Sequence, residues 1–439
     1  MIPARRPRLF YGWVVVAVAF VTMGVAINAR TGFSLLFPEI VDEFGWDAGT
    51  TAGAFSVGFL ASTAFLPVVG WMMGRWGPRV SIPMGAALVA AGYLSVRWAT
   101  APVHLYLSFG LLAVAGSMAM SYIGHAMFLP NWFVRRRGLA TGIAFSGVGA
   151  VGALLLPAMQ RVIDADGWRA ACLAMAVLVV VAVIPLNALF QRTRPEDMGL
   201  FPDGETEPLP GEAPRPVRAD AVVDAAWVGR GWTLGAAIRT ARFWWLSLAF
   251  FCSLFISYSI LIHQTRHLIQ AGFDAATAAG VLGATVLFGV GGQIGLGALS
   301  DRIGREIAWT LGLCGYVGGL LLLIRLGEAP SAPMLWALAA VLGLVGAGLA
   351  ALYGAIPAEI FGGPRYASIF TAISLLGNLG AAGGVFLMGV IHDATGDYRL
   401  GFQLCIGLAG VSAVAVWAAS PRKVRLVAGA AERRRRAGG

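Results

Sequence analysis

The chain has 439 residues, of which 58% are hydrophobic and only 12% charged, and its mean hydropathy is +0.75. An ordinary soluble domain carries roughly 25% charged residues, so a water-soluble fold is excluded and lipid is the solvent. The net charge of +10 comes from 32 Lys and Arg against 22 Asp and Glu. These basic residues are dispersed between apolar runs rather than gathered on one element, which excludes a nucleic-acid partner.

Twelve apolar runs are predicted, at 11–35, 48–72, 80–99, 103–131, 139–161, 168–190, 242–267, 276–298, 307–326, 332–358, 367–391 and 400–420. Most are about 20 residues long, enough to cross a ~30 Å hydrocarbon layer as a helix. No backbone polar group can go unpaired there, so the runs must be helical, and many of the 59 glycines fall inside them, where they suit close helix contact. Arg5, Arg6 and Arg8 precede the first run, but that run is too long for a cleaved export signal and lacks a small-residue cleavage site. Residues 191–241 are the one long polar stretch and are expected to form a linker. Within it, 232–243 is expected to be a short surface helix, with Leu234, Ile238 and Phe243 on one side and Arg239 and Arg242 kept wet. The predicted organisation is therefore an N-terminal six-helix bundle (1–190), a linker (191–241), a C-terminal six-helix bundle (242–420) and a basic tail (421–439). In that tail, Arg433 to Arg436 are expected to be solvated and drawn to lipid.

Sorting the 32 Lys and Arg along the twelve runs leaves 25 on the side of the N-terminus. Six (Arg97, Arg161, Arg169, Arg266, Arg325 and Arg399) fall on or near the other side, and Arg30 alone lies inside a run. That asymmetry predicts an inner-membrane protein with both termini in the cytoplasm. Cys172, Cys252, Cys314 and Cys405 all fall in apolar runs with no CxxC spacing, so they are expected to pack rather than bind metal or form a disulfide framework. No cofactor is expected.

The two halves repeat. Gly70-Trp-Met-Met-Gly74-Arg75-Trp76-Gly77 and Gly297-Ala-Leu-Ser-Asp301-Arg302-Ile303-Gly304 begin 227 residues apart, and each joins the end of one apolar run to the start of the next. Arg135-Arg136-Arg137 and Arg365 recur at nearly the same offset, as do Gly149 and Gly377. Two equivalent membrane halves are a transporter plan with the site between them.

The element formed by Gly297, Asp301, Arg302, Gly304 and Arg305 resembles the hallmark loop of the major facilitator superfamily, a likeness that extends end to end. Finer features resemble its monocarboxylate and oxalate/formate branch. They are Tyr11-Gly12-Trp13, Gly32-Phe33-Ser34 with Phe37-Pro38, Trp132-Phe133 with Arg135 to Ala140, Ser146-Gly147 with Gly149 and Gly152, and Arg194-Pro195 onward to Gly204. The resemblance implies an all-α membrane fold of twelve transmembrane helices in two pseudo-symmetric six-helix bundles. It also implies alternating access to a central site, usually for carboxylates, with Gly70, Arg75, Gly77, Gly297, Asp301, Arg302, Gly304 and Arg305 as the gating loops. Departures are Gly74 where the superfamily usually has Asp, Glu39 where the branch commonly has Lys, an uncharged eighth span, and Asn378 in place of the deep Lys of oxalate exchange. A dianion would want two fixed positive charges, so oxalate is not expected.

Arg30 is the one deep cation, about 17 residues or roughly 25 Å beyond Trp13. A charge in the bilayer costs ~2.5 kcal/mol or more, which makes it a functional candidate. The structural alternative is that Arg30 reaches the outer interface from the last turns of its span, or pairs with Glu39. A guanidinium can hold a carboxylate by two parallel hydrogen bonds. Asn28 beside it, Tyr122 and His125 on the fourth span, Tyr258, His263 and Gln264 on the seventh, Tyr353 on the tenth and Asn378 on the eleventh complete the candidate substrate site. Each taken singly is as well explained by a helix–helix hydrogen bond. Arg266 and His267 are expected at the interface. All Asp and Glu fall in loops, tails or helix ends, so no buried carboxylate is expected, leaving His125 and His263 as titrators.

The sequence thus reads as a secondary transporter, not an enzyme, for a small organic anion, with a monocarboxylate the leading candidate. Its partners are that anion and the bilayer, and the chain is expected to be monomeric. The alternative is efflux of a hydrophobic organic compound or drug. Against it, the fourth span has no membrane Arg and Pro157 stands apart from any Gly-Pro pair.

Overall fold

The structure, a computed structural model, describes residues 10–46, 48–204 and 221–438. Arg5, Arg6, Arg8 and linker positions 205–220 lie outside the described residues, as do the side chains of Ser34, Phe37, Pro38 and Arg435. Among the described residues eleven helices are long and apolar enough to cross a membrane, and the 29-residue helix Ala48–Trp76 covers the second of the twelve predicted runs.

In chain order the helices are α1 (Gly12–Thr31), α2 (Ala48–Trp76), α3 (Pro78–Val96), α4 (Pro102–Asn131), α5 (Arg137–Asp166) and α6 (Trp168–Phe190) in the first half. The second half holds α7 (Ala241–Gln270), α8 (Ala275–Ile303), α9 (Arg305–Glu328), α10 (Ala332–Phe361), α11 (Tyr366–Thr395) and α12 (Arg399–Ala419). The first helix does not stop near residue 35. Gly32 keeps helical angles (φ −59°, ψ −17°), and the helix runs on as Phe33–Phe44. Arg30, in the last turn of Gly12–Thr31, therefore still has the continuation Phe33–Phe44 beyond it, and stands about 27 Å from Gly12 and about 21 Å from Phe44 at 1.5 Å per residue.

Small residues set the packing. On α5, one face meets α1, where a methyl on Gly147 would run into the Phe20 carbonyl, and another meets α8, where a methyl on Gly149 would sit 2.8 Å from Val290. Gly380 and Gly384 of α11 bring it equally close to the backbone of α7 at Phe251 and Phe255. Dispersion and close backbone approach, rather than hydrophobic burial, hold helices together in lipid.

α4 and α10 are both irregular in the same place. Each passes through a π-helical stretch (Tyr106–Val114 and Val341–Gly346) and then a 3-10 turn (Met118–Met120 and Ala347–Leu349). α4 breaks outright at Ser121, which is extended (φ −81°, ψ −178°) and caps the short helix Tyr122–Ala126 by accepting from the Ile123 N–H.

The motifs at the two ends of the first half meet in space. Trp13 packs on Phe133 (4.9 Å), Tyr11 on Trp132 (5.7 Å), and the Tyr11 hydroxyl donates to the Phe190 carbonyl at 2.7 Å. The described parts of the linker are pinned to both halves. Asp203 accepts from the Val134 and Arg135 N–H groups, and Trp227 donates to the Ile360 carbonyl at 2.8 Å while packing on Trp232 and under Arg242. The predicted surface helix over 232–243 is reduced to one turn, Leu234–Ala237, because Thr240 caps α7 and draws Phe243 into the core. The tail is also docked rather than fully solvated. Val424 is buried, Leu426 donates to the Ala221 carbonyl, and the helix Ala428–Gly438 begins against Arg302, although Arg433 and Arg434 are exposed.

Candidate functional site

Arg30 is half-buried, and Tyr258 of α7 lies within electrostatic reach of it from the other half of the chain. Tyr258 is also within reach of Tyr122 on α4, Tyr316 on α9 and Tyr353 on α10, so four phenols from both halves converge, one of them within reach of the guanidinium. The Tyr316 and Tyr353 hydroxyls donate to Ser257 and Ser253 at 3.1 and 3.0 Å, and these serines stand one turn apart on α7. The Tyr122 side chain reaches Gln293 of α8 across the halves. Tyr122, Tyr258, Tyr353 and Gln293 are each partly accessible, and they come from both bundles.

The other sequence candidates divide. Asn28 is buried and donates to the Gly24 carbonyl at 2.7 Å and the Val148 carbonyl at 2.9 Å, fastening α1 to α5. His125 follows Tyr122 by three residues on the same short helix but is fully buried. Its Nδ1 lies 3.1 Å from the Ser121 carbonyl and its Nε2 is buried without a hydrogen-bond partner. His263 holds the Val385 carbonyl at 3.0 Å and the Tyr398 hydroxyl at 3.3 Å, both within the second half. Gln264 is buried, with its amide nitrogen unpartnered, and Asn378 is half-exposed on α11. His267, expected at the interface, is instead buried with Nε2 2.8 Å from the Leu323 carbonyl, because Tyr398 and Phe402 of α12 wall it in; Arg266 is exposed.

At the basic rim the loops form a latch. Gly77 (φ 70°) and Gly304 (φ 111°) turn the chain between helices in a conformation that only glycine adopts without strain. Asp301, in the last turn of α8, accepts from the Gly138 and Leu139 N–H groups at 2.9 Å each. Those donors open α5 and have no intrahelical acceptor, and the positive end of the helix dipole favours a carboxylate there. Arg305 is fully buried and pairs with Asp301 and Glu359 at 2.8 Å each, and it also donates to Ser300. Arg137 approaches Glu359 at 3.7 Å. A methyl on Gly297 would run into the Gly138 carbonyl, so the helices cross in contact.

The equivalent seam in the other half is built on small residues. An added Cβ on Gly74 would lie 3.9 Å from Ala367 at the start of α11, and Gly70 abuts Thr371, while Arg75 and Arg302 are exposed. The expectation of no buried carboxylate is corrected here: Asp301, Glu306 and Glu359 are all buried. Each sits at a helix end on the basic rim, where a partner can be reached from a neighbouring loop. Glu359, Tyr316 and Gln293 are the site residues the sequence reading missed. Tyr316 and Gln293 carried the same signal as Tyr258, a lone polar group in an apolar run.

Known proteins resemble this chain throughout its length. The profile of the Major Facilitator Superfamily matches residues 16–332 and 296–437. Monocarboxylate transporter 11 of Homo sapiens is 29% identical over 92% of this chain and 81% of its own length. Monocarboxylate transporter 13 of Bos taurus is 27% identical over 91% and 87%. Among solved structures, the Major Facilitator Superfamily transporter FucP in the outward conformation superposes with a TM-score of 0.65 at 15% identity, covering 94% of this chain and 100% of its own. The proton:xylose symporter XylE gives 0.66 at 12% identity over 96% and 98%. These likenesses carry the fold, a multi-pass membrane protein and a transport role rather than an enzymatic one. The chain belongs to the Major Facilitator Superfamily and, within it, is similar to the monocarboxylate transporters.

Proposed function

We propose that this transporter carries a small organic anion, a monocarboxylate, across the inner membrane by alternating access. The two bundles 1–190 and 242–420 would rock about the interface between them, with the basic rim, both termini, the linker 191–241 and the tail 421–439 facing the cytoplasm. The observation that carries this reading is the place of Arg30, half-buried and within electrostatic reach of Tyr258 of the opposite bundle. A guanidinium there can take a carboxylate by two parallel hydrogen bonds, and the Tyr258 hydroxyl would add a further donor. Asn28 and His263 are helix fasteners in this scheme, while Arg30, Tyr122, Tyr258 and Tyr353 contact the anion. The names of the relatives support the same cargo.

The test is uptake of labelled monocarboxylates into proteoliposomes. Arg30→Ala abolishes uptake while leaving a folded, inserted protein, and Arg30→Lys restores only part of it because a point charge cannot make the paired bonds. Full uptake by the alanine variant would remove Arg30 from the site. A panel binding only cationic amphiphiles would favour efflux of hydrophobic compounds instead.

A further inference from the structure

We propose that the carried anion is an aryl monocarboxylate without an amino group, bound by its carboxylate at Arg30 and by its ring among the tyrosines. This rests on the anion-carrier reading above and narrows its substrate class. Rings from both bundles converge: Tyr122 from α4, Tyr258 from α7, Tyr316 from α9 and Tyr353 from α10, all linked through Tyr258 to Arg30.

Their orientation is fixed from behind. Tyr122 stands edge-on to Phe145 at 4.8 Å, and Tyr353 stands edge-on to Phe250 at 4.8 Å and to Trp309 at 5.4 Å. Serines hold the Tyr316 and Tyr353 hydroxyls, and Tyr353, which is partly accessible, keeps ring surface with its polar end already satisfied. A flat ring bound beside Tyr122, Tyr258 and Tyr353 gains offset-stacked or edge contacts that an acetate-sized or lactate-sized acid cannot make. Two such contacts correspond to on the order of tenfold to a hundredfold in affinity.

Charge sets the other limits. The buried acids Asp301, Glu306 and Glu359 all lie at the basic rim, and among the described residues no carboxylate is placed beside the tyrosines. An α-ammonium group would enter next to Arg30 with no counter-charge, so an aromatic amino acid is disfavoured against the keto or deaminated acid of the same ring. A second carboxylate would equally lack a partner, since Arg30 is the one Arg or Lys in the sequence within the membrane's depth.

The experiment measures binding of acetate, lactate, benzoate, phenylacetate, phenylpyruvate and phenylalanine to the purified full-length protein by thermal shift and calorimetry, with proteoliposome uptake alongside. The aryl acids are expected to bind ten- to a hundredfold more tightly than lactate, and phenylalanine to bind at least tenfold more weakly than phenylpyruvate. Tyr353→Leu should collapse the aryl-to-lactate ratio, whereas Tyr353→Phe should preserve it. The wild-type ratio needs no variant, so a misfolded leucine form leaves the test standing. Equal affinity for lactate and phenylacetate, with uptake still dependent on Arg30, overturns the aromatic assignment and leaves the anion carrier intact. Binding of no carboxylate at all overturns both.

Discussion

Removing the Asp301 carboxylate should release the basic rim, and the structure sets the size of the effect. Two bonds cross between the halves at this residue, to Gly138 and Leu139 at 2.9 Å each, and both are charge-assisted and placed on a helix N-terminus. Bonds to a charged group contribute about 1.5–3 kcal/mol each, and two sharing one carboxylate add less than their sum, so about 3 kcal/mol is at stake. Arg305 remains paired with Glu359 when Asp301 is gone, so no buried cation is orphaned and the bias between open and closed rims is what changes. At 1.36 kcal/mol per decade, the closed-to-open ratio falls by on the order of a hundredfold. Pulsed spin-label distances between Arg136→Cys and Lys423→Cys, in a Cys314→Ser background, would read this, since both positions are exposed and stand on opposite halves of the rim. Asp301→Ala should lengthen and broaden the distribution, and Gly74→Asp added to it should partly restore the short distance by capping the start of α11. An unchanged distribution in the alanine variant would refute the latch.

Gly297→Val places branched carbons against the Gly138 carbonyl, so it should open the same rim sterically, and the same spin labels would detect it. Trp227→Ala removes the bond to the Ile360 carbonyl, the contact with Trp232 at 4.4 Å and the stack under Arg242 at 4.1 Å. A loss of about 2 kcal/mol of local stability should raise the rate of tryptic cleavage at Arg230 roughly tenfold or more, and an unaltered rate would mean the linker is held elsewhere. Glu43, at the far end of the first helix's continuation, accepts from Arg169 and from Trp168 at 2.7 Å each, and the Arg169 bond first of all holds its carboxyl below the usual range. A lowered folded value means the contribution is fully present above the unfolded glutamate pKa of about 4.3 and lost as pH falls through the folded value. The Tm gap between wild type and Glu43→Gln should therefore be flat from pH 7 to 5 and shrink only below pH ~4; the pair is exposed, so the gap is small.

The helices and the internal repeat were legible because lipid leaves a chain so few choices: each apolar run must be helical, and Gly297, Asp301 and Arg302 mark where one helix turns into the next. What stayed hidden depended on direction. Asn28, Tyr122 and His125 are equally polar in the sequence, yet Asn28 turns toward Val148, and on the short helix that follows the break at Ser121 His125 is buried while Tyr122 stays partly accessible. No periodicity predicts that break, since Ser is an unremarkable helix residue until its hydroxyl caps the next turn. Glu359 was read as a helix-end acid, which it is; its burial comes from Arg305, 54 residues earlier, a pairing that only the tertiary fold supplies. The linker and tail looked polar by composition, but Trp227 and Val424 pin them, and two or three apolar side chains suffice to dock a segment.

The duplicated backbone carries an unduplicated charge pattern, and that difference assigns the two seams of the rim unequal parts. Where α8 meets α5, a carboxylate, a buried guanidinium and a second carboxylate close on the open end of a helix. Where α2 meets α11, Gly70 and Gly74 supply only close packing. Packing without charge strengthens and weakens gradually as helices slide, whereas a capped helix end is either met or missed within about an ångström. If the rim opens as proposed, the α2–α11 seam can shift first at little cost, and the α5–α8 seam then parts in a single step of about 3 kcal/mol. Glu359 stays with Arg305 after that step, so the second half moves as one body while α5 leaves it.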